Sequence, residues 1–180
     1  MHTKNELRYM SRPKVAIIFA ALVVAWLIFD LATKAFFNSF ALGSVIAGPF
    51  ANIFQFRLVH NTGMAWGMFG DSTQALGVMS LVVCAILTGY LFANICHINW
   101  WQVIGIALVV SGGLGNAIDR FSQGYVVDFI ETTFINFPVF NIADIGVTCG
   151  FIIFLIGLFC SFDKSAPTDD DLEKQADQEQ

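Results

Sequence analysis

Between Ser72 and Ile118 the sequence has no Lys, Arg, Asp or Glu, a run of 47 residues. One membrane crossing takes about 20 residues, so this gap holds two crossings and a turn. Over all 180 residues only 13% are charged, against 56% hydrophobic and 19 Phe. That scarcity excludes an ordinary soluble domain and indicates an integral membrane protein. A basic stripe interleaved with aromatics is also missing, which excludes a nucleic-acid partner. The net charge of −5 says little about partners, because much of the acid sits in the final "DKSAPTDDDLEKQADQEQ". This stretch, residues 163–180, is polar and aperiodic and is expected to be a disordered cytoplasmic tail.

Motifs for metals and nucleophiles are equally scarce. Cys84, Cys96, Cys149 and Cys160 lie in or beside apolar runs without CxxC spacing, and are expected to pack as small buried apolar groups. His2, His60 and His97 are scattered and form no ligand set, so neither a metal nor another cofactor is expected. The chain also offers no Ser-His-Asp set, no HExxH and no phosphate-binding loop.

What is present reads as four spans, at about 15–37, 73–95, 102–120 and 140–162. The fold expected is mainly α, a polytopic membrane protein with residues 1–162 forming one membrane-embedded domain. Asp30 and Lys34 follow the first apolar run without a cleavage site, so that run is read as a span and not as a removed signal peptide. The turn "CHINWW" places Trp100 and Trp101 where tryptophans suit a membrane interface. Segments 38–72 and 121–139 are then external. In the first, "FQFRLVHN" alternates Phe54, Phe56 and Leu58 with Gln55 and Arg57, which predicts a strand in a small β-structure lying on the membrane. "AGP" before it, and Gly63, Gly67 and Gly70 after it, read as punctuation.

Orientation follows from the positive charges. Lys4, Arg8, Arg12, Lys14, Lys164 and Lys174 lie on one side, against Lys34, Arg57 and Arg120 on the other. Both termini should therefore be cytoplasmic. Span direction then brings Asp30, Lys34, Asn116, Asp119, Arg120, Asp128, Asn141 and Asp144 to one level, near the outer surface. The inner half of each span is left without ionisable residues, which argues against a proton-coupled transporter. A non-catalytic scaffold would explain the glycines and aromatics but not two Asn-x-x-Asp faces at one level.

Several of these residues have bland readings. Asp30 and Lys34, one helical turn apart in "DLATK", suit an internal ion pair. In "SGGLGNAIDRF", Gly112, Gly113 and Gly115 let helices approach closely, and Asp119 beside Arg120 neutralises charge near lipid. Asn61 and Gly63, in "HNTGMAWGMF", stand at a strand end where a backbone meets either an extended ligand or a turn. The chemistry open to unpaired carboxylates is narrower. Two of them sharing one proton supply both the base and the acid that peptide hydrolysis needs. By elimination, an enzyme here is an aspartyl hydrolase, with Asp119, Asp128 and Asp144 all candidates.

Taken in order, "DLATK", "HNTGMAWG", "GGLGNAIDR", "GYVVDFIE" and "FNIAD" resemble the lipoprotein signal peptidases (bacterial signal peptidase II), from about Lys14 to Phe162. The resemblance implies a four-helix aspartyl endopeptidase of the bacterial inner membrane, with a small extracytoplasmic sheet and helix shaping its cleft. It implies prolipoproteins carrying diacylglycerol as substrates, cleaved before the lipidated cysteine, with membrane lipids and globomycin-type inhibitors as further partners; a monomer is expected. It assigns catalysis to Asp128 and Asp144 and a supporting role to Asp30, Lys34, Asn61, Gly63, Asn116, Asp119, Arg120 and Asn141, with Asp119 paired to Arg120. Leu31 stands where the family usually has Gln, and Met64 where it has a small residue; Met64 is expected to reshape the cleft.

Overall fold

The structure, a computed structural model, describes residues 11–63 and 73–163. Met64, Gly67, Gly70, the basic residues before Ser11 and the acidic tail fall outside that range. Four helices follow the four expected spans: α1 (Arg12–Phe37), α2 (Thr73–Ala93), α3 (Trp100–Ser122) and α4 (Ile142–Asp163). Each is long and apolar enough to cross a membrane. Three strands, β1 (Val45–Phe50), β2 (Phe54–Asn61) and β3 (Val126–Thr132), form one antiparallel sheet in the order β1-β2-β3.

The helices are apolar around most of their circumference because most of that surface faces away from protein. Ile17, Ile28, Phe151 and Ile156 are all exposed, as lipid-facing side chains are. Only α3 is mostly enclosed. Its "GGLG" explains how: a Cβ at Gly112 would strike the Ala143 carbonyl of α4, one at Gly113 would lie 2.6 Å from Cys84 Sγ of α2, and one at Gly115 would strike the Asp30 carboxylate of α1. Three glycines thus admit three neighbours, one on each other helix. Gly105 and Gly150 extend the contact, each so close to the facing backbone that a Cβ would lie 2.7 Å from the other's carbonyl oxygen.

Capping residues set where α3 and α4 begin. Asn99 Oδ1 accepts from Gln102 N at 3.0 Å and Gln102 Oε1 from Asn99 N at 3.2 Å, a reciprocal capping box. Trp100 and Trp101 therefore open α3 and do not lie in the turn. Asn99 Nδ2 also donates to Gly157 O (2.7 Å) and Ser161 Oγ (2.9 Å), tying this end of α3 to α4.

The sheet departs from expectation in two respects. "AGP" lies inside β1, not in a loop before β2. β3 comes from the second external segment, so one sheet joins both. Val126, Val127, Asp128 and Phe129 are all buried, and a strand enclosed on both faces shows no alternation by which to read it. The cysteines differ too: Cys84 is buried, but Cys96 is half-buried and Cys149 and Cys160 are exposed.

Replacing Gly112 by Val would force α3 from the start of α4. We expect a loss of about 1–3 kcal/mol, measured as a lower unfolding temperature in detergent, with Gly43→Val, whose position has no neighbour to strike, reporting backbone strain alone.

Candidate active site

Phe140 brings the two ends of the connection together. Its N–H donates to Ile130 O at 3.0 Å, and its carbonyl accepts from Ile130 N at 2.8 Å and Phe129 N at 3.1 Å. The next residue, Asn141, therefore lies beside Asp128 as α4 begins. Asn141 N donates to Asp144 Oδ2 and Asp144 N to Asn141 Oδ1, both at 3.0 Å. The Asn-x-x-Asp spacing is thus a capping box with Asp at the third helical position. The side-chain nitrogen of Asn141, Nδ2, donates to Asp128 Oδ1 at 2.7 Å, its shortest bond, and also lies 3.1 Å from Asn116 Oδ1. One residue holds both carboxylates, 16 positions apart.

Each carboxylate has a second donor. Asn61 Nδ2 reaches Asp128 Oδ2 at 2.9 Å, and Asn116 Nδ2 reaches Asp144 Oδ1 at 2.8 Å. Sheet register supplies the first: Val59 pairs with Asp128 and Asn61 with Val126, so Asn61 is the diagonal neighbour of Asp128 on the same face. The Gly63 N–H, 3.0 Å from Asn61 Oδ1, leaves the amide nitrogen facing Asp128. Lys34 plays the same part for Asn116, giving Asn116 Oδ1 a bond of 2.8 Å. Both amides are oriented by what their oxygens accept.

Behind them lies a buried ion cluster. Lys34 Nζ is 2.9 Å from Asp30 Oδ2 and 3.1 Å from Asp119 Oδ2, and all three side chains are almost wholly enclosed. Asp30 Oδ1 accepts from Ala143 N at 2.9 Å, fixing the second amide of α4. Asp119 Oδ2 accepts from Val127 N at 3.2 Å, fixing β3 next to Asp128. The expected Asp30–Lys34 pair is present. The expected Asp119–Arg120 pair is not: consecutive helical residues point apart, and Asp119 closes on Lys34. Arg120 instead donates to Asn116 O at 3.4 Å and faces a cavity.

That cavity, ≈ 490 Å³, is lined by Asn61, Gly63, Arg120, Asp128 and Asp144, by Phe137 to Phe140, and by Ile145, Thr148 and Cys149. Burial, and next to it the Asp144 carboxylate, push Asp128 up to about 7, against the downward pull of the Asn61 hydrogen bond. A carboxyl that keeps its proton near neutrality beside a second carboxylate is fit for acid–base chemistry.

The family whose model is described as signal peptidase (SPase) II matches residues 22–160. The chain belongs to the signal peptidase II family. The lipoprotein signal peptidase of Parasynechococcus marenigrum is 39% identical over 134 residues, covering 73% of this chain and 82% of the relative. That of Lactiplantibacillus plantarum is 39% identical over 145 residues, covering 78% and 93%. A bacterial membrane enzyme solved by the in meso method at 2.3 Å resolution aligns with a TM-score of 0.75 at 28% identity, covering 84% of this chain and 93% of that one. As a signal peptidase II, the chain is a multi-pass membrane protease.

All ten residues singled out from the sequence fall in this one network or its cavity wall. Sequence reasoning missed Phe140, which acts through its backbone and leaves no side-chain signal. It also missed Thr148, which a step of one helical turn from Asp144 would have found. Leu31 is half-buried on α1 and nothing in the structure gives it a part in the site. Lys34→Met leaves Asp30 and Asp119 buried without their cation. We expect about 3–5 kcal/mol of destabilisation by thermal unfolding, relieved in part by adding Asp119→Asn.

Proposed function

We propose that this signal peptidase II is an aspartyl endopeptidase of the bacterial cytoplasmic membrane. It removes the signal peptide of diacylglyceryl-modified prolipoproteins, cutting before the lipidated cysteine. The observation that carries this reading is Asn141, which holds Asp128 and Asp144 together at the wall of a cavity. Family membership supports the substrate class, since the relatives are lipoprotein signal peptidases.

A water seated between the carboxyls attacks the scissile carbonyl. Asp144, at a helix N-terminus where the macrodipole favours an anion, takes the water's proton. Asp128 keeps its proton near neutrality and gives it to the leaving nitrogen. The two carboxyls share the titration, so rates report the pair. Arg120, with its guanidinium at the cavity, stands where the developing oxyanion needs a donor. The excess of basic residues near the two ends supports cytoplasmic termini, and with them a site at the outer leaflet. The apolar wall of Phe137, Phe140 and Ile145 then accepts a substrate that arrives from the bilayer with its acyl chains still among the lipid tails.

The decisive measurement is cleavage of a diacylglyceryl-modified precursor by reconstituted Asp128→Asn and Asp144→Asn variants. Each should lose about a hundred- to ten-thousandfold in kcat; near-normal cleavage by either removes that residue from the mechanism. The wild-type pH profile is a separate check. Asp128 must be protonated to act as the acid, and its raised pKa keeps it so below about 7. Activity should therefore fall as the pH rises through that value, and a profile flat from about 6 to 9 contradicts the assignment.

A further inference from the structure

His60 belongs to none of the assigned sets, yet it adjoins Asn61 on β2 and pairs across the sheet with Val127, the neighbour of Asp128. Its ring stacks on Tyr125, centroids 3.8 Å apart and planes 16° from parallel. Its Nε2 lies 2.8 Å from Oδ1 of Asn38, the residue that ends α1. Asn38 Nδ2 in turn donates to Gln123 Oε1 at 3.3 Å, and Gln123, which ends α3, donates from Nε2 to Asp119 Oδ1 at 3.2 Å.

The direction of this chain is fixed from its far end. The Asp119 carboxylate, paired with Lys34, accepts, so Gln123 must present its amide nitrogen. The Gln123 oxygen then accepts from Asn38, and the Asn38 oxygen is left as an acceptor facing His60. His60 must therefore donate from Nε2. Burial lowers its pKa from the usual 6.5, so at neutral pH the ring is uncharged and the proton sits on Nε2, not Nδ1.

We propose that His60 is a positioning residue: its Nε2–H bond to Asn38 and its stacking on Tyr125 clamp β2 to the ends of α1 and α3, and so keep the Asn61 amide on Asp128. The proposal rests on the reading of Asp128 as the catalytic acid. Its energetic logic is that, among the described residues, Asn61 is one of two side chains donating to Asp128. If β2 shifts by a fraction of an ångström, that bond lengthens and the Asp128 anion loses stabilisation.

The test uses the full chain in lipid nanodiscs with a diacylglyceryl-modified precursor. His60→Phe keeps a ring on Tyr125 and removes the donor; His60→Gln puts an amide nitrogen where Nε2 stood. For His60→Phe we expect kcat about tenfold lower, KM little changed, and the alkaline limb of the pH profile moved upward. The other charged groups acting on that limb are Asp144 of α4, Arg120 of α3 and Lys34 of α1, all unaltered in the variant. His60→Gln, which keeps the donor but not the ring, should return the limb and most of the rate. A His60→Phe enzyme with an unmoved limb, or a loss that Gln does not rescue, overturns the clamp. Independently of activity, nitrogen-15 NMR of the wild type should show His60 neutral and protonated on Nε2 at neutral pH, its signals identified by their loss in His60→Gln. An Nδ1–H tautomer sinks the proposal even if the Phe variant does not fold. Should Asp128→Asn cleave normally, the catalytic reading fails while the tautomer still decides the clamp.

Discussion

Two carboxylates repel each other, and placing them side by side in a largely apolar protein needs donors that serve both. Asn141 meets that need with three of its four hydrogen-bonding groups, its carbonyl accepting from Ile145 N within α4. Its backbone N–H goes to Asp144, its side-chain oxygen caps the amide of Asp144, and its side-chain nitrogen goes to Asp128. A helix start requires a cap in any case, because its first amides have no partner within the helix. Here the cap and the site are one arrangement. Asp144 cannot move without uncapping α4, and Asp128 cannot move without leaving Asn141 Nδ2 short of its 2.7 Å bond. The box needs Phe140 to arrive beside Ile130 first, so the sheet and the helix bundle share responsibility for the same two oxygens.

The sheet is held to the bundle by charge as well as by packing. Lys34 is the centre of that attachment: its ammonium touches Asp30, Asp119 and Asn116, and each of these reaches a different backbone or carboxylate. Asp30 holds the second amide of α4, Asp119 holds β3, and Asn116 holds Asp144. Isolated charges at this depth would be very costly. The cost is offset because every member of the cluster is paired and also accepts or donates to a fixed partner. The close approach of α1 to α3 at Gly115 is what makes room for Asp30; a side chain there would expel the carboxylate and with it the restraint on α4.

The sequence was legible where physics leaves a linear trace. Four apolar runs gave four helices, and the alternation of "FQFRLVHN" gave β2 with its bounds at Phe54 and Asn61. The polar residues of the body lie together because span direction dictates it. Legibility ended where the trace is not linear. The first four residues of β3 are buried on both faces, so its apolar run carries no alternation and the segment 121–139 reads from sequence only as external. Asp119 stood next to Arg120 in sequence, but adjacency along a helix is the wrong metric, and the partner was Lys34 on another helix. His60 was read as one of three scattered histidines, since its meaning depends on two helix ends that only the fold brings near it.

The distribution of polarity along the bundle also bears on what kind of reaction fits. The end away from the sheet is closed by Val15, Phe19, Leu91, Val103 and Ile106, all buried in one apolar cluster, and by the Asn99 box tying α3 to α4. Among the described residues, no buried Asp, Glu, Lys, Arg or His lies between this cluster and Asp30. A proton carrier needs stations along the whole path, whereas a hydrolase needs water and proton exchange from one side only. Lys34 is therefore best understood as a fixed counter-ion and not as a relay: moving its proton would leave Asp30 and Asp119 facing each other without a cation, and would release the Asn116 amide that steadies Asp144. Its three short contacts immobilise the charge behind the two carboxylates, and on the proposed reading that leaves proton exchange to the pair at the front.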